Sequence, residues 1–580
     1  MTRWLQALLL GCGVIASLAT ASLLNCSASA AEAVVARPTP ARLASSRETV
    51  RSAIQTALAR YPGDIDSAAM LRMLQHELAD HDVSIDEAAS VLARLGDGRG
   101  FLSLPEFVKL REQLQNYLAD LRLATEPGLD EAYRGNLNEL QTAIQSGDAV
   151  AAVAPNRWLA ERGLALAARS AAASQFARNN VVLRVSAASG NKILPNPFTQ
   201  SFSQTTDLQG TPATVRGTLV AHSQLYAPDH GKSADHAGID VRAVVNTQIG
   251  ISRQRVSATA AGTTHLNAQV LLQVRNNDFH IAGTSLQSST SMSLGHVSTQ
   301  RCLGNRVINR LAGRVFDRKR GEINAQADQQ IVAQGKPTMI AQVATVVEQI
   351  NAGKNEVIAP IVAYGLTPAL GVSSDSGGMS MTFRVSTPLQ LAAQSPPPVP
   401  RVGTGSYLAV HESAANNAGE MFAGLTIDEQ KFRETVFDSL GFTPVETTPP
   451  PGGEVPHTVT FSRKTPLTVQ FFSDQVKVRM AIDGLSDGRE KFIFEKPVTV
   501  DVVYRFESHA QGVLLVREAM ECHVEEPQKT KFEATLGRFL VPTAKQDDLT
   551  TLGQLLSIVQ LRADTPTANA GWLQMPLVER

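Results

Sequence analysis

The sequence has little cysteine, few aromatic residues and almost no net charge. Four cysteines among 580 residues are too few for a scaffold held together by disulfides. A formal net charge of −1 leaves no global electrostatic attraction for nucleic acid or anionic lipid. Aromatic residues make up 5% of the chain, so the stacking surfaces of nucleic-acid-binding proteins are not expected. We therefore predict no nucleic-acid partner.

Long apolar runs are also missing, except at the N-terminus. There the segment WLQALLLGCGVIASLATASLL follows Arg3 and leads into small residues that end at Ala31. A positive start, an apolar stretch and a small-residue exit are typical of a secretory signal. We predict a signal peptide over residues 1–31, export to the periplasm or cell surface, and no transmembrane segment in the mature chain. An uncleaved anchor and lipid attachment at Cys12 are the alternatives.

Cleavage after Ala31 leaves two cysteines, Cys302 and Cys522. In an oxidising compartment their thiols could form one disulfide that closes a long loop. The sequence does not place the two Cα atoms within bonding range. A Cys302–Cys522 disulfide is therefore one hypothesis, and two separate buried thiols are the other, favoured one.

Apolar residues are plentiful, at 43% of the chain, which is enough for packed cores. At about 150 residues per domain, the length predicts three or four folded units. The hydrophobic periodicity predicts a fold of the α+β class, in which an N-terminal helical domain precedes two α+β units with largely antiparallel sheets. The predicted segments are a linker over 32–48, a helical domain over 49–178, an α+β domain over 179–390, a Pro-rich linker over 391–404 and a second α+β domain over 405–580.

Two dipeptides predict local interruptions of these elements. Lys336-Pro337 predicts a break in the helical pattern that runs from about residue 301 to 365. Asp483-Gly484 predicts a hairpin-type turn between two strands. An elongated sheet beside such helices could enclose an apolar groove, as in lipid-binding tubular domains, although this is an analogy of architecture.

The motif SVLARLGDGRGFLSLPEF resembles an EF-hand loop, in which calcium is held by oxygens at fixed loop positions. With Glu106 at position twelve, Asp97 falls at position three and Ser103 at position nine. Leu95 at position one offers no side-chain oxygen, and Arg99 at position five brings a positive charge to the cation's place. We predict a helix–loop–helix here, with Asp97, Ser103 and Glu106 as the candidate calcium ligands. No other cofactor is predicted.

Two further segments carry residue types that catalysis or metal binding uses. The run SSDSGG over 373–378 resembles the nucleophile loop of trypsin-like proteases, yet the chain lacks that family's histidine motif, so a polar turn is predicted. The segment YAPDHGKSADHAGID over 226–240 gathers Asp and His without a known ligand spacing, so a solvated loop is predicted. With no phosphate-binding loop, dinucleotide fingerprint or HExxH motif, we predict no enzyme and no catalytic residues.

The order of several segments resembles a group of exported proteins of unknown function that is common in planctomycete-type bacteria. The resemblance covers the greater part of the chain and implies export and a two-unit architecture, but it supplies no catalytic residues. The chain departs from the group in its EF-hand-like segment and its Asp/His-rich loop. The segments that carry the resemblance are NRWLAERGLALAARSAAASQFARNNVVLRVS, RVFDRKRGEINAQADQQ, MSMTFRVSTPL, YLAVHESAANNAGEMFAGLTI, VTFSRKTPLTVQFFSDQVKVRMAI and GWLQMP.

These observations lead to one main hypothesis and two alternatives. The main hypothesis is a non-enzymatic envelope protein that acts as a binding or structural module, with an envelope protein or a lipid as its partner. The first alternative is a calcium-binding protein of the EF-hand type. The second is a periplasmic lipid-binding protein with an apolar groove.

Overall fold

The computed structural model describes most of the chain. The described residues are 38–60, 71–76, 78, 84–96, 105–189, 198–207, 212–226, 236–253, 256–299, 305–363, 366, 369–375, 377–387, 389–397, 405–432, 442–445, 457–486, 491–509, 512–524, 528–546 and 561–579. Helices precede antiparallel sheets along the chain, which confirms the predicted α+β class. In the described part of the chain, no helix is both long and apolar enough to span a membrane.

The N-terminal helices pack into two neighbouring apolar clusters. α1, α2 and α3 surround the first cluster, which includes Ile54, Leu95 and Leu114. The end of α3 joins α4, α5 and α6 in the second cluster, to which Leu391 is added from far along the chain. Residues 71–76 are helical too and add Leu71 and Leu74 to the first cluster. The labelled helices of this region are α1 (Pro40–Arg60), α2 (Ile85–Gly96), α3 (Pro105–Thr125), α4 (Leu129–Ser146), α5 (Val153–Glu161) and α6 (Leu166–Gln175).

The strands form sheets whose described pairs are all antiparallel. The shared sheet has the order β18-β20-β9-β1-β8-β7 with β19 on β20, the long-strand sheet the order β2-β3-β4-β5-β6, and the C-terminal sheet the order β10-β12-β14-β15-β16-β17-β11 with β13 on β14. The bounds are β1 (Val181–Ser186), β2 (Phe198–Asp207), β3 (Pro212–Tyr226), β4 (His236–Arg253), β5 (Val256–Arg275), β6 (Asp278–Thr299), β7 (Ala369–Asp375), β8 (Gly378–Arg384), β9 (Ser406–His411), β10 (Thr426–Asp428), β11 (Phe442–Pro444), β12 (Thr458–Phe461), β13 (Leu467–Phe472), β14 (Gln475–Ser486), β15 (Lys491–His509), β16 (Gly512–Cys522), β17 (Thr543–Gln546), β18 (Leu561–Ala563), β19 (Thr567–Asn569) and β20 (Trp572–Glu579).

The shared sheet takes its strands from both sides of the predicted 391–404 linker. β1 pairs with β8 on one side and with β9 on the other, so Val181 lies opposite both Phe383 and Val410. The start of the predicted linker is packed, because Ala393 is fully buried beside the buried Trp572 in one apolar cluster. The indole Nε1 of Trp572 also donates to the backbone oxygen of Ser395 at 3.2 Å.

A long helix, α7 (Asn305–Ala363), runs antiparallel to the edge strand β6. The side-chain amide of Asn351 accepts from the backbone N–H of Phe279 and donates to its backbone oxygen. The Oδ1 of Asn324 accepts from the backbone N–H of Met292 at 3.1 Å. The two spans match in length, since 13 strand residues at about 3.3 Å and 27 helical residues at about 1.5 Å both cover roughly 40 Å. α7 therefore supplies partners to an edge that would otherwise present unpaired backbone groups.

The predicted break at Lys336-Pro337 is wrong, because α7 continues through it. Proline removes one helical hydrogen bond, the one to the carbonyl four residues earlier. Here that carbonyl belongs to Ala333, and both Ala333 and Pro337 are exposed, so water can take the place of the missing donor. Side-chain contacts hold the helix on both sides, through Asp328 to Thr290 and through Asn351 to Phe279.

The predicted hairpin turn at Asp483-Gly484 is also wrong. β14 continues through both residues, and its register with β15 shifts between Ile482 and Gly484. A Cβ at Gly484 would lie 3.1 Å from the carbonyl oxygen of Phe492, so the close approach of the strands at this bulge favours glycine. Helix α9 (Gln528–Phe539) follows β16 and buries Phe532 in the core cluster of the sheets.

Candidate functional site

A polar cleft of about 280 Å³ opens between the helical region and the C-terminal part of the chain. Its walls come from four segments that are far apart in sequence. They are helices α5 and α6, residues 389–394, helix α8 (Glu412–Gly419) with residues 420–423, and the connection over 463–468 between β12 and β13. Charged and amide side chains dominate this lining, which distinguishes the cleft from the apolar clusters on either side of it.

The first wall is one face of α5. The lining residues Val153, Asn156, Arg157, Ala160 and Glu161 follow the three- and four-residue spacing that places side chains on a single side of a helix. A Schellman turn then ends α5, in which the amides of residues 163 and 164 donate to the carbonyls of residues 160 and 159. This tight turn lets α6 start at once and brings its residue 169 to the same cleft.

Arg169 is the most unusual residue of the cleft. Its exposed fraction is 6%, its Nε is enclosed, and its side chain makes no hydrogen bond or ion pair with another described residue. Burial lowers the pKa of Arg169 to about 10, against a smaller opposing effect of the Glu420 charge. The guanidinium is therefore charged at neutral pH and lacks the close partner that buried charges ordinarily have.

The opposite wall is a face of α8 and the residues after it. Ser413, Asn416, Asn417 and Glu420 recur at helical spacing along the cleft. The buried Asn180, next to β1, fixes this helix because its Nδ2 donates to the Ser413 hydroxyl at 3.2 Å. Its backbone carbonyl also accepts from the amide of residue 411. The shared sheet thus sets the position of α8.

Two carboxyl groups on this wall are harder to ionise than usual. Burial raises the pKa of Glu420, although Gln390 donates to its Oε2 at 2.7 Å and Arg169 favours its charged form. Glu420 is accessible from the cleft and has protein atoms on its other sides, which explains why desolvation acts on an exposed side chain. Burial likewise raises the pKa of Glu412, against a backbone hydrogen bond from Phe471.

The 463–468 connection closes one end of the cleft and carries backbone strain. Thr465 has a φ of 48°, in the left-handed region that a β-branched residue rarely adopts. Its hydroxyl donates to Glu161 Oε1 at 3.2 Å, and Arg162 lies 3.5 Å from the other oxygen of the same carboxylate. Glu161 is therefore held between the connection and the end of α5.

A serine and a histidine meet beside the cleft, but as a helix cap. The Nδ1 of His411 accepts from the amide of Ser413 at 3.1 Å and lies 3.0 Å from its hydroxyl. Burial lowers the pKa of His411 to about 4. Because Nδ1 accepts the hydrogen bond from the Ser413 amide, this nitrogen carries no proton. A general base works best with a pKa near the working pH, so this imidazole is poorly suited to activate Ser413 at neutral pH. The pair caps α8 at its N-terminus.

Of the three predicted calcium ligands, the structure describes Glu106, which does not line this cleft. Asp97 and Ser103 fall outside the described residues, while Glu106 stands in the first turn of α3. Helices flank the segment on both sides as predicted, and Leu95 is fully buried in the helical core with its carbonyl accepting from Arg111 at 2.8 Å. Within the described ranges, no group of three or more His, Cys, Asp or Glu residues is placed to hold a metal. Calcium binding stays a prediction.

The predicted disulfide and the protease-like loop are also placed by the structure only in part. Cys522 is a buried free thiol at the end of β16, whereas Cys302 lies outside the described residues, so their pairing stays a prediction. Burial raises the pKa of Cys522 to about 12, which keeps it protonated and unreactive. Within the SSDSGG segment, residues 373–375 end β7 and residue 378 begins β8, with Asp375 paired with Gly378. Asp375 accepts from the Gly377 amide and from Arg184.

The sequence did not predict the cleft, because no lining residue lies within a recognisable binding motif of its own segment. Arg169 stands among alanines of an amphipathic helix, and Glu412 and Glu420 read as polar positions at the ends of another. Three of the segments quoted for the resemblance, over 156–186, 407–427 and 459–482, each contribute residues to the lining.

The comparisons with known proteins leave the family of this chain open. No family model and no curated protein matches it. Among solved structures, the crystal structure of lipopolysaccharide binding protein aligns with 70% of this chain and 99% of that chain, at 10% sequence identity and a TM-score of 0.24. A similarity at this TM-score supports no inference about the ligand of this chain.

Proposed function

We propose that this protein is an exported, non-catalytic binding protein whose cleft between α5 and α8 takes up a small anionic molecule. The observation that carries the proposal is the buried, unpartnered guanidinium of Arg169 on the cleft wall. An isolated buried charge is costly unless a partner compensates it. A carboxylate or phosphate group would supply that partner, with the two-oxygen geometry that guanidinium recognises.

Two further features support binding rather than catalysis. Hydrogen bonds hold side chains around the cleft in place. Gln390 donates to Glu420, and Asn417 donates to the backbone oxygens of Val385 and Leu391. Such a preorganised lining lowers the entropy lost on binding. The histidine next to the cleft serves as a helix cap with a depressed pKa, so it is not available as a base at neutral pH.

The test is calorimetric titration of the full-length protein with acetate, succinate and inorganic phosphate, together with thermal unfolding. We expect at least one anion to bind and to raise Tm, since a ligand at 100 times its Kd stabilises the native state by about 2.7 kcal/mol. Arg169→Met should abolish both effects and should itself fold, because it replaces an unpaired buried charge with an apolar side chain of similar length.

Arg134→Met is the matched control, since Arg134 lies on the surface of the same helical region and, among the described residues, forms its ion pair with Asp130 at 3.1 Å. This variant should bind like the wild type. If no molecule that carries a carboxylate or phosphate group binds, or if Arg169→Met binds as well as the wild type, the proposal is overturned.

A second candidate function is the binding of an apolar chain along the long-strand sheet. On the face from which Thr290 reaches α7, the aliphatic side chains of Val245, Ile249, Leu266 and Leu286 are only half-buried. Solvent extraction and mass spectrometry of the purified protein should then recover lipid. Leu266→Lys should reduce the recovery, and His265→Lys, on the opposite face of the same strand, should not. A lipid-free wild type would exclude this candidate.

A further inference from the structure

A second unsatisfied atom lies on the same wall as Arg169. Asn156 has an exposed fraction of 7%, lines the cleft from α5, and its Oδ1 is enclosed without a hydrogen bond to any described residue. The cleft thus holds a buried cationic donor and a buried neutral acceptor, both without partners. A simple anion would satisfy only the donor and would leave the amide oxygen of Asn156 unpaired, at the cost that buried acceptors incur.

The charges around these two atoms are of both signs. Four cationic side chains and three carboxylates line the cleft, an excess of one positive charge when all are ionised. Glu161 accepts a hydrogen bond from Thr465 and lies 3.5 Å from Arg162, which is not part of the lining. Glu420 accepts from Gln390, and the charges of Arg169 and Arg157 favour its ionised form. The cationic residues are Arg157, Arg169, Arg463 and Lys464, and the acidic residues are Glu161, Glu412 and Glu420.

The size of the cleft limits the ligand further. A volume of about 280 Å³ lies at the small end of the range for small-molecule sites. A molecule of amino-acid size fits within this volume. The ligand must therefore carry its anionic group and its hydrogen-bond donor close together.

We propose that the ligand is a small zwitterion of the amino-acid type, whose carboxylate pairs with Arg169 and whose ammonium group donates to Asn156 beside the cleft carboxylates. This inference rests on the proposed function, because it names the ligand class of the same cleft. Its added content is the second functional group, which the anion proposal does not require.

The test compares zwitterions with carboxylates of the same chain length. Glycine, β-alanine and 4-aminobutyrate are titrated into the full-length protein, followed by acetate, propionate and butyrate. We expect the best zwitterion to bind at least tenfold more tightly than its matched carboxylate, because it satisfies the acceptor as well as the donor. The length that binds best reports the separation of the two groups.

Variants of Asn156 and Arg169 separate the two contacts. Asn156→Leu should reduce the tenfold preference to about twofold or less while carboxylate binding stays the same. Asn156→Asp should increase the preference, since a carboxylate attracts the ammonium group more strongly. Arg169→Met should abolish the binding of both series. Should Asn156→Leu fail to fold, Asn156→Asp and the wild-type comparison decide alone.

Different binding results would overturn the zwitterion inference alone and the zwitterion inference together with the anion proposal. Equal binding of zwitterions and carboxylates overturns the zwitterion inference and leaves the anion proposal intact. Binding of neither series, with phosphate and succinate also inactive, overturns both. Binding of butylamine as tight as that of 4-aminobutyrate, unaffected by Arg169→Met, also overturns both, because the carboxylate would then contribute nothing.

Discussion

Single residues of this protein show how differently a fold can treat a buried charge. Asp501, with an exposed fraction of 8%, accepts from Arg479 at 2.7 and 2.9 Å and lies 3.0 Å from the ammonium group of Lys477. These hydrogen bonds, led by those from Arg479, hold the pKa of Asp501 well below its usual range. Arg169 has no such partner. A fully paired charge of this kind stabilises the sheet, whereas the unpaired charge of Arg169 is the observation behind the proposed binding role.

We therefore expect Asp501→Asn to destabilise the protein by about 1–2 kcal/mol at neutral pH, because a charge-assisted cross-strand bond is lost. Because the pKa is lower in the folded than in the unfolded state, this contribution is present above about pH 4, the unfolded value, and is lost as the pH falls below it. Urea unfolding of both proteins between pH 3 and pH 7 measures the difference.

Asp130→Asn provides the comparison at the same scale. Asp130 pairs with Arg134 within one helix at the surface, so its loss should cost less than about 0.5 kcal/mol at any pH. Equal effects of the two substitutions, or a difference for Asp501→Asn that does not change with pH, would contradict our account of the cross-strand pair.

At the scale of elements, α7 shows that a local signal can be outweighed by its surroundings. Pro337 disrupts an isolated helix, and Gly335, two residues earlier, is a second residue that commonly ends helices. In the folded chain, contacts from Asp328, Asn324 and Asn351 fix α7 against β6 on both sides of the proline. Contacts along the long strand β6 therefore keep α7 continuous. The sequence alone does not show that this strand and this helix lie side by side.

Pro337→Ala should consequently stabilise α7, since it restores the bond to the Ala333 carbonyl at an exposed position. We expect amide exchange over residues 330–340 to slow, with a gain in free energy of unfolding of up to about 3 kcal/mol if the helix unfolds with the rest of the chain. Lys336→Ala is the control and should change neither quantity by more than a few tenths of a kcal/mol. Faster exchange in the Pro337→Ala protein would mean that the proline favours the native helix.

At the scale of the whole molecule, distant segments depend on one another. The shared sheet joins β1 and β8 to β9 and β20, which lie beyond residue 404. The cleft likewise needs α5 and α6 from the first third of the chain and α8 and the 463–468 connection from the last third. The cleft is therefore a property of the complete fold.

A protease site inserted between residues 398 and 404 tests this dependence. After cleavage we expect the two fragments to elute together in size-exclusion chromatography and to separate only in denaturant, because the β1–β9 ladder and the Trp572–Ser395 bonds span the cut. Anion binding should survive the cut as well. Independent elution of the fragments in native buffer would show instead that each side of the cut folds by itself.

The sequence by itself determined the fold class and the type of most elements, because hydrophobic periodicity reports which face of a helix or strand is buried. The sequence also predicted a polar turn between β7 and β8, because serine, aspartate and glycine favour local hydrogen bonds and tight turns. Only the tertiary structure decided the continuity of α7, the bulge at Gly484 and the pairing of strands across the 391–404 segment. The tertiary structure also decided the cleft, since a charge such as that of Arg169 becomes significant only when packing buries it without a hydrogen-bonded partner.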